Sequence, residues 1–247
     1  MKILALDSSG IVASVAVVKD DNLLAEYTVN YKKTHSQTLL PMLDEIVRMT
    51  ELDLNTIDAI AVAAGPGSFT GLRIGSATAK GLGLALKKPL VAVPTVDALA
   101  YNLYDAKGLI CPIMDARRNQ VYTGIYCFEN HKLLTLKSQW AGAMEDLLQE
   151  LNERGEQVIF LGDGVPVFRE MIQEKLKIPF SFAPAHLNKQ RASSVAALGM
   201  ELYMEGAVQT AMEHCPDYLR VSQAERERAQ REQAELEKKK ENLEEGA

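Results

Sequence analysis

Residues 65–75 have the composition of a loop that could hold a phosphate group. They read Gly-Pro-Gly-Ser-Phe-Thr-Gly-Leu-Arg-Ile-Gly and join a predicted strand to a predicted helix. Free backbone N–H groups at such a helix start often bind anions. However, no Gly-Lys-Ser/Thr follows at the spacing of a P-loop, and Thr70 occupies the last glycine position of the dinucleotide-binding pattern. The specific phosphate-binding motifs are therefore absent.

Two aspartates, Asp7 and Asp115, each end an apolar run and precede a turn. In two-lobed ATPases the first such turn faces the nucleotide phosphates, and glycine there lets backbone amides approach them. Here Asp7 is followed by Ser8 and Ser9. These three residues form a candidate phosphate-binding turn, and we expect it to bind phosphate only weakly because serines replace the usual glycines.

The histidines and cysteines do not suggest a metal site or a nucleophilic triad. The four histidines lie far apart in the sequence, and lone histidines are more often structural than ligands. Three cysteines without a C-x-x-C spacing argue against a disulfide framework or a zinc site.

These turns belong to an order of elements that occurs twice. Three strands before residue 30 are followed by predicted elements at 36–49 (helix), 57–64 (strand), 69–86 (helix), 89–93 (strand) and 95–104 (helix). The order restarts with strands at 109–114 and 121–128, a helix at 144–152, a strand at 158–161 and a helix at 167–176. Asp7 and Asp115 hold equivalent positions in the two halves, which indicates an internal duplication.

A tandem βββαβαβα order is typical of the two-lobed actin-like ATPase and sugar-kinase (ASKHA, ribonuclease H-like) α/β fold. We predict a first lobe at 1–104 and a second, smaller lobe at 105–220. A helix at 192–204 returns after the second lobe and could pack on either lobe. Residues 221–247 are rich in charged side chains, which predicts a solvated extension, either a lone surface helix or a disordered tail. A tail that contacts tRNA or a partner is the alternative.

Small residues recur every four positions along the predicted helix at 69–86. The row consists of Gly67, Gly71, Gly75, Ala79 and Gly83. Because glycine inside a helix costs up to about 1 kcal/mol relative to alanine, a close backbone neighbour is expected as compensation. That neighbour is either the protein's own sheet or first helix, or a second polypeptide. The sequence leaves both interpretations open.

The overall composition limits the classes of partner. The apolar fraction of 47% supports a proper core, and the net charge of −6 argues against a chain that grips nucleic acid alone. No apolar run has signal-peptide or membrane-spanning character, so we expect a soluble cytoplasmic protein.

Several segments together resemble one known family. They are Ile-Leu-Ala-Leu-Asp-Ser-Ser at 3–9, His-Ser-Gln-Thr-Leu-Leu-Pro at 35–41, the 65–75 stretch, Met-Asp-Ala-Arg-Arg at 114–118 and Pro-Asp-Tyr-Leu-Arg at 216–220. Over residues 1 to about 225 the chain resembles the bacterial TsaB (YeaZ) family. Members of that family are required for threonylcarbamoyladenosine synthesis in tRNA.

The resemblance implies a non-catalytic paralogue of the catalytic subunit TsaD. TsaD carries a His-x-x-x-His pair whose two positions here are Thr95 and Leu99. Leucine cannot bind a metal ion and threonine is a poor ligand, so we expect no metal and no catalytic activity from this chain. We expect no cofactor of its own either; ATP or ADP shared at a subunit boundary is the alternative.

The resemblance also implies partners. A TsaD-like subunit would bind the first-lobe helices, a TsaE-like P-loop ATPase would join them, and a homodimer through the same helices would compete. The complex would transfer threonylcarbamoyl from threonylcarbamoyl-adenylate to N6 of the adenosine 3′ of the anticodon, in tRNAs reading codons that begin with A. The expected contact residues are His35, Leu39, Met42, Ile46, Gly67, Ser68, Phe69, Gly71, Leu72, Arg73, Gly75 and Ala79.

Two other functions compete with this interpretation. A small ATPase or kinase of the same fold, acting alone, would bind and turn over ATP; the two serines after Asp7 weigh against it. A metalloprotease-like protein would need metal ligands, and the residues at 95 and 99 argue against that.

Overall fold

The computed structural model describes residues 1–220 of the 247-residue chain. The helices are α1 (Leu39–Thr50), α2 (Phe69–Leu86), α3 (Thr95–Tyr101), α4 (Met144–Arg154), α5 (Val165–Lys175) and α6 (Ala192–Met204), with 3-10 turns at His35–Gln37 and Leu54–Thr56. The first-lobe strands are β1 (Lys2–Asp7), β2 (Val12–Lys19), β3 (Asn22–Asn30), β4 (Ala59–Gly65) and β5 (Leu90–Pro94). The second-lobe strands are β6 (Leu109–Asp115), β7 (Gln120–Glu129), β8 (Lys132–Ala143), β9 (Val158–Leu161) and β10 (Phe180–Phe182).

The first lobe is a five-stranded sheet in the order β3-β2-β1-β4-β5. The meander β1 to β3 is antiparallel, and β4 and β5 run parallel to β1. Helices α1 and α2 cover one face, where Leu43 and Ile46 of α1 and Ala79 of α2 share a core with alternate residues of the strands. Alternate strand residues face the other side of the sheet because successive side chains point to opposite faces.

The second lobe repeats this arrangement in the order β10-β9-β6-β7-β8. Helices α4 and α5 cover one face through Leu148, Leu151 and Phe168. Because both sheets have the same order and the same direction of strands, the predicted two-lobed actin-like ATPase and sugar-kinase fold class is confirmed. The sequence reasoning missed β8 and β10.

Helix α6 packs on the first lobe, on the sheet face opposite α1 and α2. Val195 and Ala196 lie in a core with Ile3, Ala61 and Val91. The start of α6 is held by β3, because Glu26 accepts hydrogen bonds from the Ser193 N–H and hydroxyl and pairs with Arg191. A carboxylate at a helix start satisfies free N–H groups and complements the helix dipole.

Helix α3 joins the two lobes. Val96 and Leu99 pack against Ile110 and Leu161 of the second sheet. The hydroxyl of the buried Tyr126 donates to Asp97 at 2.7 Å, and burial raises the pKa of that carboxyl. The interlobe contact is therefore a packed core that contains one satisfied polar pair.

The predicted charged extension at 221–247 lies outside the described residues. Within residues 1–220, no helix combines the length and the apolar character needed to cross a membrane.

Candidate functional site

The turn after β1 is a buried polar structure. Asp7 is only 1% exposed, and its Oδ1 accepts hydrogen bonds from the Ser9 N–H at 2.8 Å and the Ser9 hydroxyl at 2.7 Å. Burial raises the pKa of Asp7 from its ordinary value of 3.8 to about 6, although the Ser9 hydrogen bonds and nearby His35 oppose that rise. The His35 Nε2 lies 2.9 Å from the Gly10 carbonyl oxygen, so His35 closes the other side of the turn.

Helix α2 begins directly against this turn. The Ser68 N–H donates to the Ser9 carbonyl at 2.6 Å, and the Ser8 hydroxyl donates to the Gly71 carbonyl at 2.8 Å. Ser68 also caps the helix, because its hydroxyl accepts from the Gly71 N–H at 3.3 Å. The Ser8 hydroxyl, the Ser9 N–H and the Ser9 carbonyl of the predicted phosphate-binding turn are thus engaged within the chain itself.

The row of small side chains at every fourth position, from Gly67 to Gly83, is named here the inner row, and it faces the protein's own interior. A Cβ on Gly67, Gly71 or Gly75 would overlap atoms of Ser8 or Ser9, and Ala79 is fully buried. Gly83 approaches Leu90 and Ala211. Of the two interpretations left open by the sequence, packing on the chain's own fold is correct.

Several expected contact residues are therefore corrected. The inner-row residues Gly71, Gly75 and Ala79 are buried in the fold, and so are the side chains of Leu39, Met42, Ile46 and Leu72. The amphipathic pattern of both helices buries these positions against the sheet. His35, Gly67 and Phe69 are half-buried, whereas Ser68 and Arg73 are exposed.

A second row of small residues on α2 faces solvent and was missed by the sequence reasoning. This outer row consists of Ala77, Gly81 and Ala85, all exposed, and a Cβ on Gly81 would meet no atom within 4 Å. The exposed Arg73 lies one helical turn before the row. Leu84 beside the row is 61% exposed. The signal was available, because the outer row has the same four-residue spacing as the inner row.

A cleft of about 660 Å³ separates the first-lobe turn from the second lobe. Its second-lobe wall carries two carboxylates, those of Asp115 and Asp163. Asp115 forms an ion pair with Arg117, and the Asp163 carboxylate accepts a hydrogen bond from the Asp115 N–H at 3.2 Å. Burial raises the pKa of Asp163. Lys189 adds a further cation to the lining. The cleft is thus a polar space of mixed charge.

Thr95 and Leu99, the two positions that the sequence resemblance singled out, are both buried inside the fold. The Thr95 side chain is fully buried, and its hydroxyl accepts from the Gly65 N–H at 3.1 Å. Leu99 is 1% exposed and lies in the core that α3 shares with the second lobe.

Residues 216–220, the C-terminal strap, connect the lobes at the edge of the cleft. The Asp217 N–H donates to the Ala64 carbonyl at 2.7 Å, and the Tyr218 ring lies 4.7 Å from that of Phe69. The Arg73 Nε donates to the Tyr218 hydroxyl at 3.3 Å. On the second lobe, the Arg220 guanidinium donates to the Ala116 carbonyl at 2.8 Å. The strap therefore restrains both the start of α2 and the turn after β6.

Comparison with known proteins gives consistent matches over nearly the whole described chain. The model of the TsaD family, described as tRNA N6-adenosine threonylcarbamoyltransferase, matches residues 22–228. The tRNA threonylcarbamoyladenosine biosynthesis protein TsaB of Bacillus subtilis (strain 168) is 36% identical over 225 residues, covering 91% of this chain and 96% of that protein. TsaB of Escherichia coli (strain K12) is 28% identical over 227 residues, covering 89% and 95%.

Solved structures agree with these sequence matches. YeaZ from Pseudomonas aeruginosa superposes with a TM-score of 0.73 at 25% identity, covering 88% of this chain and 100% of that chain. A second structure from Pseudomonas aeruginosa, described as an uncharacterized protein with similarity to peptidase YeaZ, gives 0.74 at 25% identity, covering 89% and 99%.

Replacing Gly71 with alanine should destabilise the fold. The added methyl group would collide with the Ser8 carbonyl, and overpacking of this kind costs about 1–3 kcal/mol in the free energy of unfolding. Gly81→Ala on the same helix is the matched control; it should stabilise by up to about 1 kcal/mol because alanine favours helix and the site is open. Urea unfolding of both variants checks this, and a Gly71→Ala protein as stable as the wild type would contradict the packing of the inner row.

Replacing Asp7 with asparagine should alter the dependence of stability on pH. The folded protein retains the Asp7 proton up to a pH of about 6, whereas the unfolded chain releases it near 3.8, so stability falls as pH rises between these values. Asparagine keeps an oxygen for both Ser9 hydrogen bonds without the buried charge. The free energy of unfolding of the variant should therefore exceed that of the wild type by about 1–3 kcal/mol at pH 7.5. This difference should shrink towards pH 4. Urea titrations across this range measure it; a variant that is less stable at pH 7.5 would indicate a favourable partner for the charge.

Proposed function

The chain belongs to the TsaB (YeaZ) family, and on that premise we propose that it takes part in tRNA threonylcarbamoyladenosine biosynthesis as a non-catalytic scaffold subunit. The proposal depends on one observation, namely that Thr95 and Leu99 are buried inside the fold. The resemblance implies that the catalytic subunit has metal-ligating histidines at these two positions. Neither side chain can supply the two imidazoles of such a site. The transfer chemistry then has to come from another subunit.

The proposed reaction uses a TsaD-like catalytic subunit. That subunit transfers the threonylcarbamoyl group from threonylcarbamoyl-adenylate to N6 of the adenosine 3′ of the anticodon, in tRNAs reading codons that begin with A. A TsaE-like P-loop ATPase completes the proposed complex. The net charge of −6 supports contact with tRNA only through the complex, because phosphate binding needs clustered cations.

The outward face of α2 is the proposed contact with the TsaD-like subunit. The outer row allows another helix to approach closely, since Ala77, Gly81 and Ala85 leave little side chain between the backbones. Arg73 and Leu84 flank the row with a charge and an exposed apolar side chain. Close backbone approach increases dispersion contacts over the length of the helix. A homodimer through the same face would compete with the heterodimer.

No cofactor is proposed for the isolated chain, and a nucleotide shared at the subunit boundary stays an alternative. The competing function, an ATPase acting alone, requires phosphate contacts from the turn after β1. Ser8 and Ser9 of that turn already bond to Gly71, Ser68 and Asp7. Calorimetry with ATP and magnesium separates the two functions, because saturable binding with hydrolysis by the pure chain would favour the ATPase.

Introducing arginine at Gly81 should abolish partner binding without unfolding the chain. The position is exposed and open, so the fold should tolerate the side chain, whereas a packed helix contact would not. We expect affinity for the TsaD-like subunit to fall more than about tenfold, equivalent to about 1.4 kcal/mol, and threonylcarbamoyladenosine formation to fall with it. Calorimetry of binding, a melting curve and mass spectrometry of tRNA nucleosides provide the three measurements.

Gln149→Arg, on the exposed face of α4 in the second lobe, is the matched control because it adds the same charge elsewhere. It should leave binding and modification unchanged. Full affinity of a folded Gly81→Arg protein would overturn the proposed face. Modification of tRNA at the full rate by the TsaD-like and TsaE-like subunits alone, or by this chain alone, would overturn the scaffold role.

A further inference from the structure

A second large depression lies at the opposite end of the strands from the cleft. It has a volume of about 1100 Å³ and is bounded by the β2–β3 turn, the β7–β8 turn, α3 and α6. We name it the back groove; its lining includes Leu23, Tyr101, Leu133, Ala197, Met200 and Met204. The cleft, in contrast, lies at the ends of β1 and β6 marked by Asp7 and Asp115. The back groove is therefore separate from the candidate site.

The floor of the back groove is apolar and partly exposed to solvent. Met204 is 77% exposed and Leu23 is 44% exposed, and they line the groove together with the half-buried Met200 and Leu133. Methionine is unbranched and polarizable, and surfaces rich in it adapt to varied apolar partners. Tyr101 continues the floor, and its ring lies 5.7 Å from that of Tyr104. Exposed apolar side chains gathered in one concave surface are typical of a protein-binding site.

The rim of the back groove is acidic. Four carboxylates line it, those of Asp20, Asp21, Glu201 and Glu205, against the cation of Lys132 and the terminal ammonium. Asp20 pairs with that ammonium and Glu201 accepts from the Tyr101 hydroxyl. Asp21 and Glu205 stay exposed at the rim. His131, also in the lining, pairs with Asp105.

This combination selects one class of occupant. We propose that the back groove binds a basic amphipathic segment of a partner protein, with apolar side chains on its floor and lysines or arginines facing its rim. A nucleic acid would meet repulsion from the carboxylates. A second copy of this chain, related by a two-fold axis, would bring one acidic rim against the same acidic rim.

The back groove lies on the opposite side of the first sheet from the proposed TsaD-like contact. Helix α6 forms one wall of the groove and packs on the sheet face that α1 and α2 do not cover. A segment in the back groove would therefore leave the outer row of α2 accessible. The inference does not depend on the proposed function, and it gives the chain two binding surfaces that can be occupied together.

The test uses the full chain and a synthetic helical peptide of about 14 leucines and lysines, about 21 Å long, with a leucine–glutamate peptide as its counterpart. Fluorescence anisotropy should detect saturable binding of the lysine peptide that weakens as salt rises from about 50 to 300 mM. Met204→Ser should weaken it at least about tenfold, because one buried methionine contributes that much. Glu205→Lys should also weaken it.

Met212→Ser is the matched control, since Met212 is 80% exposed and does not line the groove. It should leave the affinity unchanged, and melting curves should show all three variants folded. Equal binding of the glutamate peptide, an equal loss in Met212→Ser, or binding unaffected by Met204→Ser would overturn the proposal. A change of oligomeric state in Met204→Ser would also overturn it, because it would indicate a second copy of the chain as the occupant. Peptide binding that appears only after residues 221–247 are removed would overturn it too, because it would indicate the chain's own extension as the occupant.

Discussion

The contact between the start of α2 and the turn after β1 is the constraint on which the rest of this structure depends. Backbone meets backbone there, because Gly67, Gly71 and Gly75 provide no side chain to separate the helix from Ser8 and Ser9. Glycine in a helix is unfavourable by itself, but here it allows hydrogen bonds between the turn and the helix start. The same contact buries Asp7 beneath the turn and raises its pKa.

This contact also determines which surfaces remain for other molecules. It engages the Ser8 hydroxyl and the Ser9 N–H and carbonyl within the chain, and it joins the turn after β1 firmly to the start of α2. It turns the inner row of α2 inward, which leaves the outer row facing solvent. The C-terminal strap reinforces the junction by holding Phe69 and Arg73 from one side and Ala116 from the other. The strap therefore connects helix α2, whose outward face is the proposed partner contact, to the residues that line the cleft.

Much of the fold could be predicted from the sequence, because the buried strands are continuous apolar runs and the duplicated order is clear. Strand β8 was missed since its residues are half-exposed along an edge, without a regular alternation, and β10 has only three residues. The position of α6 was open because periodicity identifies its apolar face but not the sheet that covers it. The direction of the small-residue row was equally open: two interleaved rows on α2 share one spacing, and only the three-dimensional packing distinguishes Gly71 from Gly81.

The division of α2 into an inward and an outward row can be tested most directly by photo-crosslinking. A benzophenone amino acid placed at Ala77 or Ala85 should form a covalent adduct with the TsaD-like subunit, and the same group at Gln149 of α4 should form none. Both helix positions are exposed, so each labelled protein should fold normally. Adducts from Gln149 but not from Ala77 or Ala85 would contradict the assignment of the outward face of α2 as the partner contact.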